Sequence, residues 1–134
     1  MIVVDSNIIG YLFLSGERSS QMEQVYKKDP EWCAPLLWRS ELRNVLALYL
    51  RREILTLPEA QQIMNEAVGL MAGQEYEVFS NEVPDLVSHS LCSAYDCEFV
   101  ALARELRVPL ITVDKQLLTQ FPDIARSPTD YLAA

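Results

Sequence analysis

The sequence predicts an α/β protein of three layers, α/β/α, built around a short and mostly parallel central sheet. Two apolar runs rich in β-branched residues, 1–4 and 110–113, have the composition of short buried strands. Other stretches, such as residues 36–52, carry apolar side chains at helical spacing. Apolar strands that alternate with amphipathic helices are typical of parallel sheets covered by helices on both faces.

The predicted helices begin at recognisable start signals. Asp5 or Ser6 can cap the first helix, and Pro35 can open a later one. Thr56 precedes Glu59 by three residues, which is the pattern of a capping box at a helix N-terminus. These signals and the apolar periodicity predict helices over residues 7–14, 17–28, 36–52, 57–72, 84–92, 95–106 and 115–120.

The predicted strands are short and apolar. They cover residues 1–4, 31–34, 76–79 and 110–113, and the pattern assigns no element to residues 127–134. The chain contains no repeat, no low-complexity segment and no linker. We therefore expect residues 1–134 to form a single domain.

The composition indicates a globular protein of a reducing compartment. Half of the 134 residues are apolar, which is enough for a core, but no run of about 18 apolar residues predicts a membrane span. The N-terminus lacks the basic start and long apolar run of a signal peptide. The three cysteines, Cys33, Cys92 and Cys97, show neither disulfide nor zinc spacing. These features favour a cytoplasmic location with buried free thiols.

The net charge of −8 argues against a protein that binds nucleic acid through basic side chains alone. It argues less against a metal-loaded protein. Two divalent cations would add four positive charges, which would move the net charge from −8 to −4.

Two acids lie where a sheet of this class binds its ligands. Asp5 directly follows the first apolar strand, and Asp114 directly follows the last. Ligands of open α/β sheets bind outside the carboxyl ends of the strands. Either acid alone is equally typical of an ordinary turn or helix cap, but together they predict a shared site.

Two further acids interrupt apolar helix faces. Glu41 lies among Trp38 and Val45, where a buried carboxylate is costly unless it is paired or bound to metal. An arginine such as Arg39 is an alternative partner for it. Asp96 begins the face that continues with apolar side chains, although it is also typical of an acid favoured by a helix dipole.

Taken together, the four acids predict a cation site. A cluster of unpaired carboxylates raises its own pKa values and repels itself. Hard divalent cations such as Mg²⁺ or Mn²⁺ prefer oxygen ligands and remove that repulsion.

Four stretches of the chain carry a resemblance to a known family. They are IVVDSNIIGYLF (2–13), WRSELRNVLALYLRR (38–52), SAYDCEFVALARELRVPLITVD (93–114) and the following KQLL. In these stretches the chain resembles the PIN-domain family, and within it the VapC-like toxins of type II toxin–antitoxin systems. The resemblance spans nearly the whole chain and is most specific between Tyr95 and Asp114.

The resemblance implies a Mg²⁺- or Mn²⁺-dependent endoribonuclease. Asp5, Glu41, Asp96 and Asp114 match the four acidic positions of the family, which implies that they are both the metal ligands and the catalytic residues. Hydrolysis would proceed by in-line attack of an activated water on phosphorus, leaving a 5′-phosphate and a 3′-hydroxyl. The family also implies an RNA substrate, a small antitoxin partner and a homodimer.

Other residues are assigned supporting roles. Asn7 matches a polar position of the family, and Thr112 precedes the last acid by two residues, which places the side chains of Thr112 and that acid on the same side of a strand. Asn7 and Thr112 can therefore orient carboxylates or a water, although each is also typical of a cap or an ordinary strand hydroxyl. Arg39, Arg43 and Lys115 are the nearest candidates for RNA binding, although they are equally typical of a solvated face.

Three other functions compete with this hypothesis. A catalytically inactive PIN-like scaffold would bind RNA or a protein without cutting, but it has no reason to keep four acids. A phospho-receiver domain would have adjacent acids after the first strand, where this chain has Asp5 followed by Ser6. A haloacid-dehalogenase-like phosphatase would have a second aspartate at the position of Asn7.

Overall fold

Five short strands lie side by side in one sheet, and every neighbouring pair is parallel. The computed structural model describes residues 1–134. Its strands are β1 (Ile2–Val4), β2 (Trp32–Pro35), β3 (Glu75–Tyr76), β4 (Leu110–Ile111) and β5 (Ala125–Arg126). Their order across the sheet is β3-β2-β1-β4-β5, so that β1 is central.

Eight helices connect and flank these strands. They are α1 (Ser6–Phe13), α2 (Ser19–Lys28), α3 (Trp38–Arg51), α4 (Leu57–Leu70), α5 (Glu82–Ser88), α6 (Ala94–Leu106), α7 (Lys115–Gln120) and α8 (Pro128–Ala133). The predicted α/β class with an α/β/α arrangement is confirmed, and the sheet is parallel throughout. None of the helices combines the length and the hydropathy required to cross a bilayer.

The core covers both faces of the sheet. Every residue of β1, β2 and β4 is buried, as expected for parallel strands covered by helices on both sides. The largest fully buried side chains include Trp32, Trp38 and Phe99, from β2, α3 and α6. All three cysteines are buried free thiols, as predicted.

Pro35 ends strand β2 and does not open helix α3, which corrects the predicted helix start. The neighbouring residues Ala34 and Leu36 donate their backbone N–H groups to Gln74 and Tyr76. Pro35 lies between these two donors, where the ladder toward β3 requires no N–H group. Helix α3 therefore begins at Trp38, three residues after Pro35.

The remaining differences concern short elements. Strand β3 is Glu75–Tyr76 rather than 76–79, helix α5 ends at Ser88 rather than 92, and β4 ends at Ile111. The unassigned C-terminal region contains helix α8, and β5 precedes it. The backbone of Leu110 donates to Ile124, which joins β5 to the sheet. A two-residue strand is too short to produce a periodic pattern.

Candidate functional site

The four predicted acids line a single open cavity of about 460 Å³. They come from four separate parts of the chain. The residues that line it are Asp5, Ser6, Asn7, Leu37, Ser40, Glu41, Asn44, Val45, Tyr95, Asp96 and Asp114.

Each of the four acids lies at the N-terminus of a different helix. Asp5 caps α1 and Asp114 caps α7, whereas Glu41 and Asp96 lie in the first turns of α3 and α6. Strands β1 and β4 are parallel neighbours, so their carboxyl ends deliver Asp5 and Asp114 to the same edge of the sheet. The positive ends of four helix dipoles therefore surround the cavity, an environment that favours anions.

Asp5 is the most enclosed of the four acids, with only 6% of its surface exposed. Its Oδ1 atom accepts a hydrogen bond from the Ser6 backbone N–H at 2.8 Å. Its Oδ2 atom accepts from Thr112 Oγ1 at 2.7 Å and from Asn7 Nδ2 at 3.3 Å. The two residues that the sequence assigned to supporting roles thus both contact the Asp5 carboxylate.

Thr112 also links Asp5 to the loop that carries Asp114. Its Oγ1 atom accepts a hydrogen bond from the backbone N–H of Asp114 at 3.0 Å. The Asp114 Oδ1 atom in turn accepts from Gln116 and Leu117, the first N–H groups of helix α7. One buried hydroxyl therefore contacts both the Asp5 carboxylate and the backbone of Asp114.

Glu41 is paired with a hydroxyl and not with an arginine. Its Oε1 atom accepts from Ser6 Oγ at 2.7 Å. The alternative partner Arg39 instead binds Glu75, with Nε and Nη2 at 2.6 and 2.5 Å from the two carboxylate oxygens. None of the four acids of the cavity takes part in an ion pair.

Asp96 differs from the equivalent acid of helix α4. At the start of α4, Glu59 turns back to accept a hydrogen bond from the Thr56 N–H, completing a capping box. At the start of α6, Ser93 likewise accepts from the Asp96 backbone N–H, but the Asp96 carboxylate does not bond back to Ser93 N–H. This carboxylate lines the cavity and does not close a capping box.

Burial and mutual repulsion oppose ionisation of three of the acids. Burial raises the pKa of Asp5 to about 6, with added repulsion from Glu41 and Asp96, although hydrogen bonds from Thr112 and Ser6 oppose the shift. Burial also raises the pKa of Glu41, and the negative charge of Asp96 adds to the effect. The pKa of Asp96 is raised by burial and by the charge of Asp114. In the metal-free protein, the uncompensated charge is therefore costly.

The donor atoms of the cavity fit a hard divalent cation. All are oxygens, and Asn7 Oδ1 is a buried acceptor without a hydrogen-bond partner. No three His, Cys, Asp or Glu side chains are close enough to form a preassembled site. Magnesium commonly retains several waters and uses only one or two carboxylates, so it does not require a close-packed set.

The three predicted RNA-binding residues lie outside the cavity lining. Arg39 is engaged by Glu75, whereas Arg43 and Lys115 are exposed and have no acidic partner. The cavity itself contains no lysine or arginine.

Sequence reasoning missed four polar or aromatic residues of the cavity. Ser6 and Tyr95 are the immediate neighbours of Asp5 and Asp96, and this adjacency could have indicated that they line the same cavity. Ser40 and Asn44 are four residues apart on α3 and flank Glu41, so their helical spacing could have indicated that they share a face with it.

A comparison with known families and structures identifies the family of this chain. The family model of the PIN domain matches residues 2–125. The chain belongs to the PIN-domain family. Ribonuclease VapC3 of Pyrobaculum aerophilum is 29% identical to this PIN protein over 124 residues, which is 90% of this chain and 95% of that one.

Solved structures share the fold of this PIN protein at lower identity. FitAcB from Neisseria gonorrhoeae has a TM-score of 0.76 and 15% identity, covering 96% of this chain and 99% of that one. A toxin–antitoxin complex from Klebsiella pneumoniae has a TM-score of 0.70 and 19% identity, covering 96% and 98%. Together these matches confirm the predicted family and its fold.

Asp5 should make the stability of the metal-free protein depend on pH. The pKa of Asp5 is about 6 in the folded chain and 3.8 as its ordinary value. Between about pH 4 and 6 the folded state therefore binds more protons than the unfolded state. The free energy of unfolding should rise as the pH falls through this range, by at most about 3 kcal/mol from Asp5.

Urea unfolding in the presence of a chelator measures this effect. Asp5→Asn lacks the titrating group, so its free energy of unfolding should change less between pH 7 and pH 4 than that of the wild type. Parallel pH profiles for the two proteins would show that Asp5 does not carry the charge cost assigned to it.

Proposed function

We propose that this protein is a metal-dependent endoribonuclease that hydrolyses RNA phosphodiester bonds. Asp5, Glu41, Asp96 and Asp114 would hold Mg²⁺ or Mn²⁺ and act as its catalytic residues. The observation that carries the proposal is the convergence of four carboxylates, none in an ion pair, in one open cavity at four helix N-termini. The name of the relative, Ribonuclease VapC3, supports the same reaction class.

The side chains around the acids would keep the site in order. Thr112 and Asn7 hold the Asp5 carboxylate in one orientation, and Ser6 does the same for Glu41. A bound divalent cation would supply positive charge that activates a water and stabilises the leaving oxygen of the phosphodiester. The helix N-termini around the cavity would favour the anionic scissile phosphate.

Basic residues near the cavity would contribute to RNA binding to different degrees. Arg43 and Lys115 are exposed and without acidic partners, so that they can contact phosphates without first breaking an ion pair. Arg39 is held by two hydrogen bonds to Glu75. It would contribute less, because an RNA phosphate would have to displace a carboxylate.

A scaffold that binds without cutting is the second candidate function. The absence of a preassembled group of three metal-binding side chains favours it. The charge cost of Asp5, Glu41 and Asp96 opposes it, because a scaffold gains nothing from burying repelling carboxylates. Metal dependence separates the two candidates, since only the nuclease requires a divalent cation.

Replacing either of two acids should abolish cleavage without unfolding the chain. Asp5→Asn and Asp96→Asn each keep the size of the side chain but remove a charged ligand. We expect both to lower RNA cleavage in Mn²⁺ at least about a hundredfold, consistent with the loss of a metal ligand. Their metal-free stability should equal or exceed that of the wild type, because repulsion is relieved.

Asp123→Asn provides the matched control. Asp123 is exposed, lies outside the acid cavity and makes no ion pair, so this variant should cut RNA at the wild-type rate. A chelator should stop cleavage by the wild type. If Asp5→Asn and Asp96→Asn both retain the wild-type rate, the assignment of the site is wrong. If the wild type binds RNA without metal and never cuts it, the scaffold is correct.

We further propose that the protein is the toxin of a toxin–antitoxin pair in the cytoplasm, acts as a homodimer and is inhibited by a small antitoxin. The toxin–antitoxin complex from Klebsiella pneumoniae, which shares its fold, supports this role. Expression in a bacterium without the antitoxin should arrest growth and degrade RNA, and Asp96→Asn should not. Co-expression of the small protein encoded by the neighbouring reading frame should restore growth. Normal growth and intact RNA on expression of the wild type would contradict the toxin role.

A further inference from the structure

Tyr95 forms the boundary between the acid cavity and a second cavity. Its side chain is 64% exposed, although it is large and aromatic. It lines the acid cavity beside Asp96 and also lines a neighbouring cavity of about 310 Å³. This second cavity, here named the side pocket, is lined by Val78, Ser80, Val83, Pro84, Ala94, Tyr95 and Glu98.

The side pocket combines apolar walls with a few polar groups. Val78, Val83 and Pro84 provide apolar contact surface, and Ser80 and Glu98 can form hydrogen bonds. A nucleobase likewise combines apolar faces with a polar edge that forms hydrogen bonds. Exposed aromatic side chains beside such pockets are the usual stacking platforms for unpaired bases in single-stranded RNA.

The charges of the two cavities also favour recognition by stacking. Neither cavity is lined by a lysine or arginine, and the chain carries a net charge of −8. Phosphate contacts alone are therefore a weak source of affinity. Base stacking requires no positive charge, and it is sequence-tolerant because every base has an aromatic face.

We propose that Tyr95 stacks on an unpaired base next to the scissile phosphate and that the side pocket receives this base. The proposal rests on the function proposed above and adds a base-binding residue and a base pocket to its site. Because Tyr95 and Asp96 are adjacent in the first turn of α6, a strand whose phosphate lies at the acids passes Tyr95 with its next nucleotide. A base within a duplex would have to unpair and unstack before it entered the pocket, which costs free energy, so an unpaired base should bind more readily.

Two variants of Tyr95 form a matched pair. Tyr95→Phe keeps the aromatic ring, and Tyr95→Leu keeps an apolar side chain without a ring. Both are placed in the Asp5→Asn background with Mg²⁺, where binding is measured without cleavage. The probe is a short single-stranded oligoribonucleotide that contains 2-aminopurine, whose fluorescence is quenched on stacking.

We expect Tyr95→Phe to bind with nearly unchanged affinity and to quench the probe, and Tyr95→Leu to bind about tenfold more weakly with less quenching. In the otherwise wild-type enzyme, Tyr95→Leu should raise KM about tenfold and leave kcat unchanged within about twofold. In a hairpin that pairs the probe base, the base is already stacked and quenched, so adding any of the variants should not change its fluorescence further.

The two proposals fail in different ways. Equal affinity and equal quenching for Tyr95→Phe and Tyr95→Leu would overturn the stacking role, even if the wild type cuts RNA in a metal-dependent manner. Ring-dependent quenching in a protein whose wild type never cuts RNA would support the base pocket and refute the nuclease. Equal affinity of the Asp5→Asn protein for the hairpin and for the single strand would overturn the requirement for an unpaired base in the side pocket.

Discussion

The burial of Asp5 at the carboxyl end of the central strand is the constraint on which the rest of the site depends. Strand β1 lies in the middle of a parallel sheet, so the chain leaves the core at Asp5 and enters helix α1 there. The carboxylate is enclosed, and only hydrogen bonds from Ser6, Asn7 and Thr112 compensate it. A buried charge without a cationic partner is stable only if something else supplies the positive charge. Helix N-termini supply part of it, yet burial still raises the pKa of Asp5 to about 6.

The sequence predicted much of this site because its signals are local. Asp5 and Asp114 follow strands whose apolar runs are unmistakable, and Glu41 and Asp96 interrupt helical faces. The sequence did not predict strand β5, because a strand of two residues shows no periodic pattern. It did not predict the start of α3 either, because Pro35 is compatible with both a strand end and a helix start. The sequence also did not predict which side chains distant along the chain would contact each other.

Arg39 illustrates this limit. It lies two residues from Glu41 and was a reasonable partner for that acid or for RNA, but it forms a bidentate pair with Glu75 of the edge strand β3. Trp38 donates to the same carboxylate, which fixes the start of α3 against the sheet. No local pattern indicates such a contact, because it depends on the neighbour of β2 in the sheet. As a result, Glu41 forms no ion pair with Arg39, and its carboxylate accepts a hydrogen bond only from Ser6.

Anomalous diffraction from crystals grown with Mn²⁺ would examine most directly whether the four carboxylates form a cation site. We expect a manganese peak inside the acid cavity, coordinated by one or more of Asp5, Glu41, Asp96 and Asp114, directly or through water. The peak should disappear in Asp5→Asn crystals grown in the same way. An empty cavity in the wild type at saturating Mn²⁺, or manganese bound only at other surface acids, would contradict the cation site and with it the proposed nuclease.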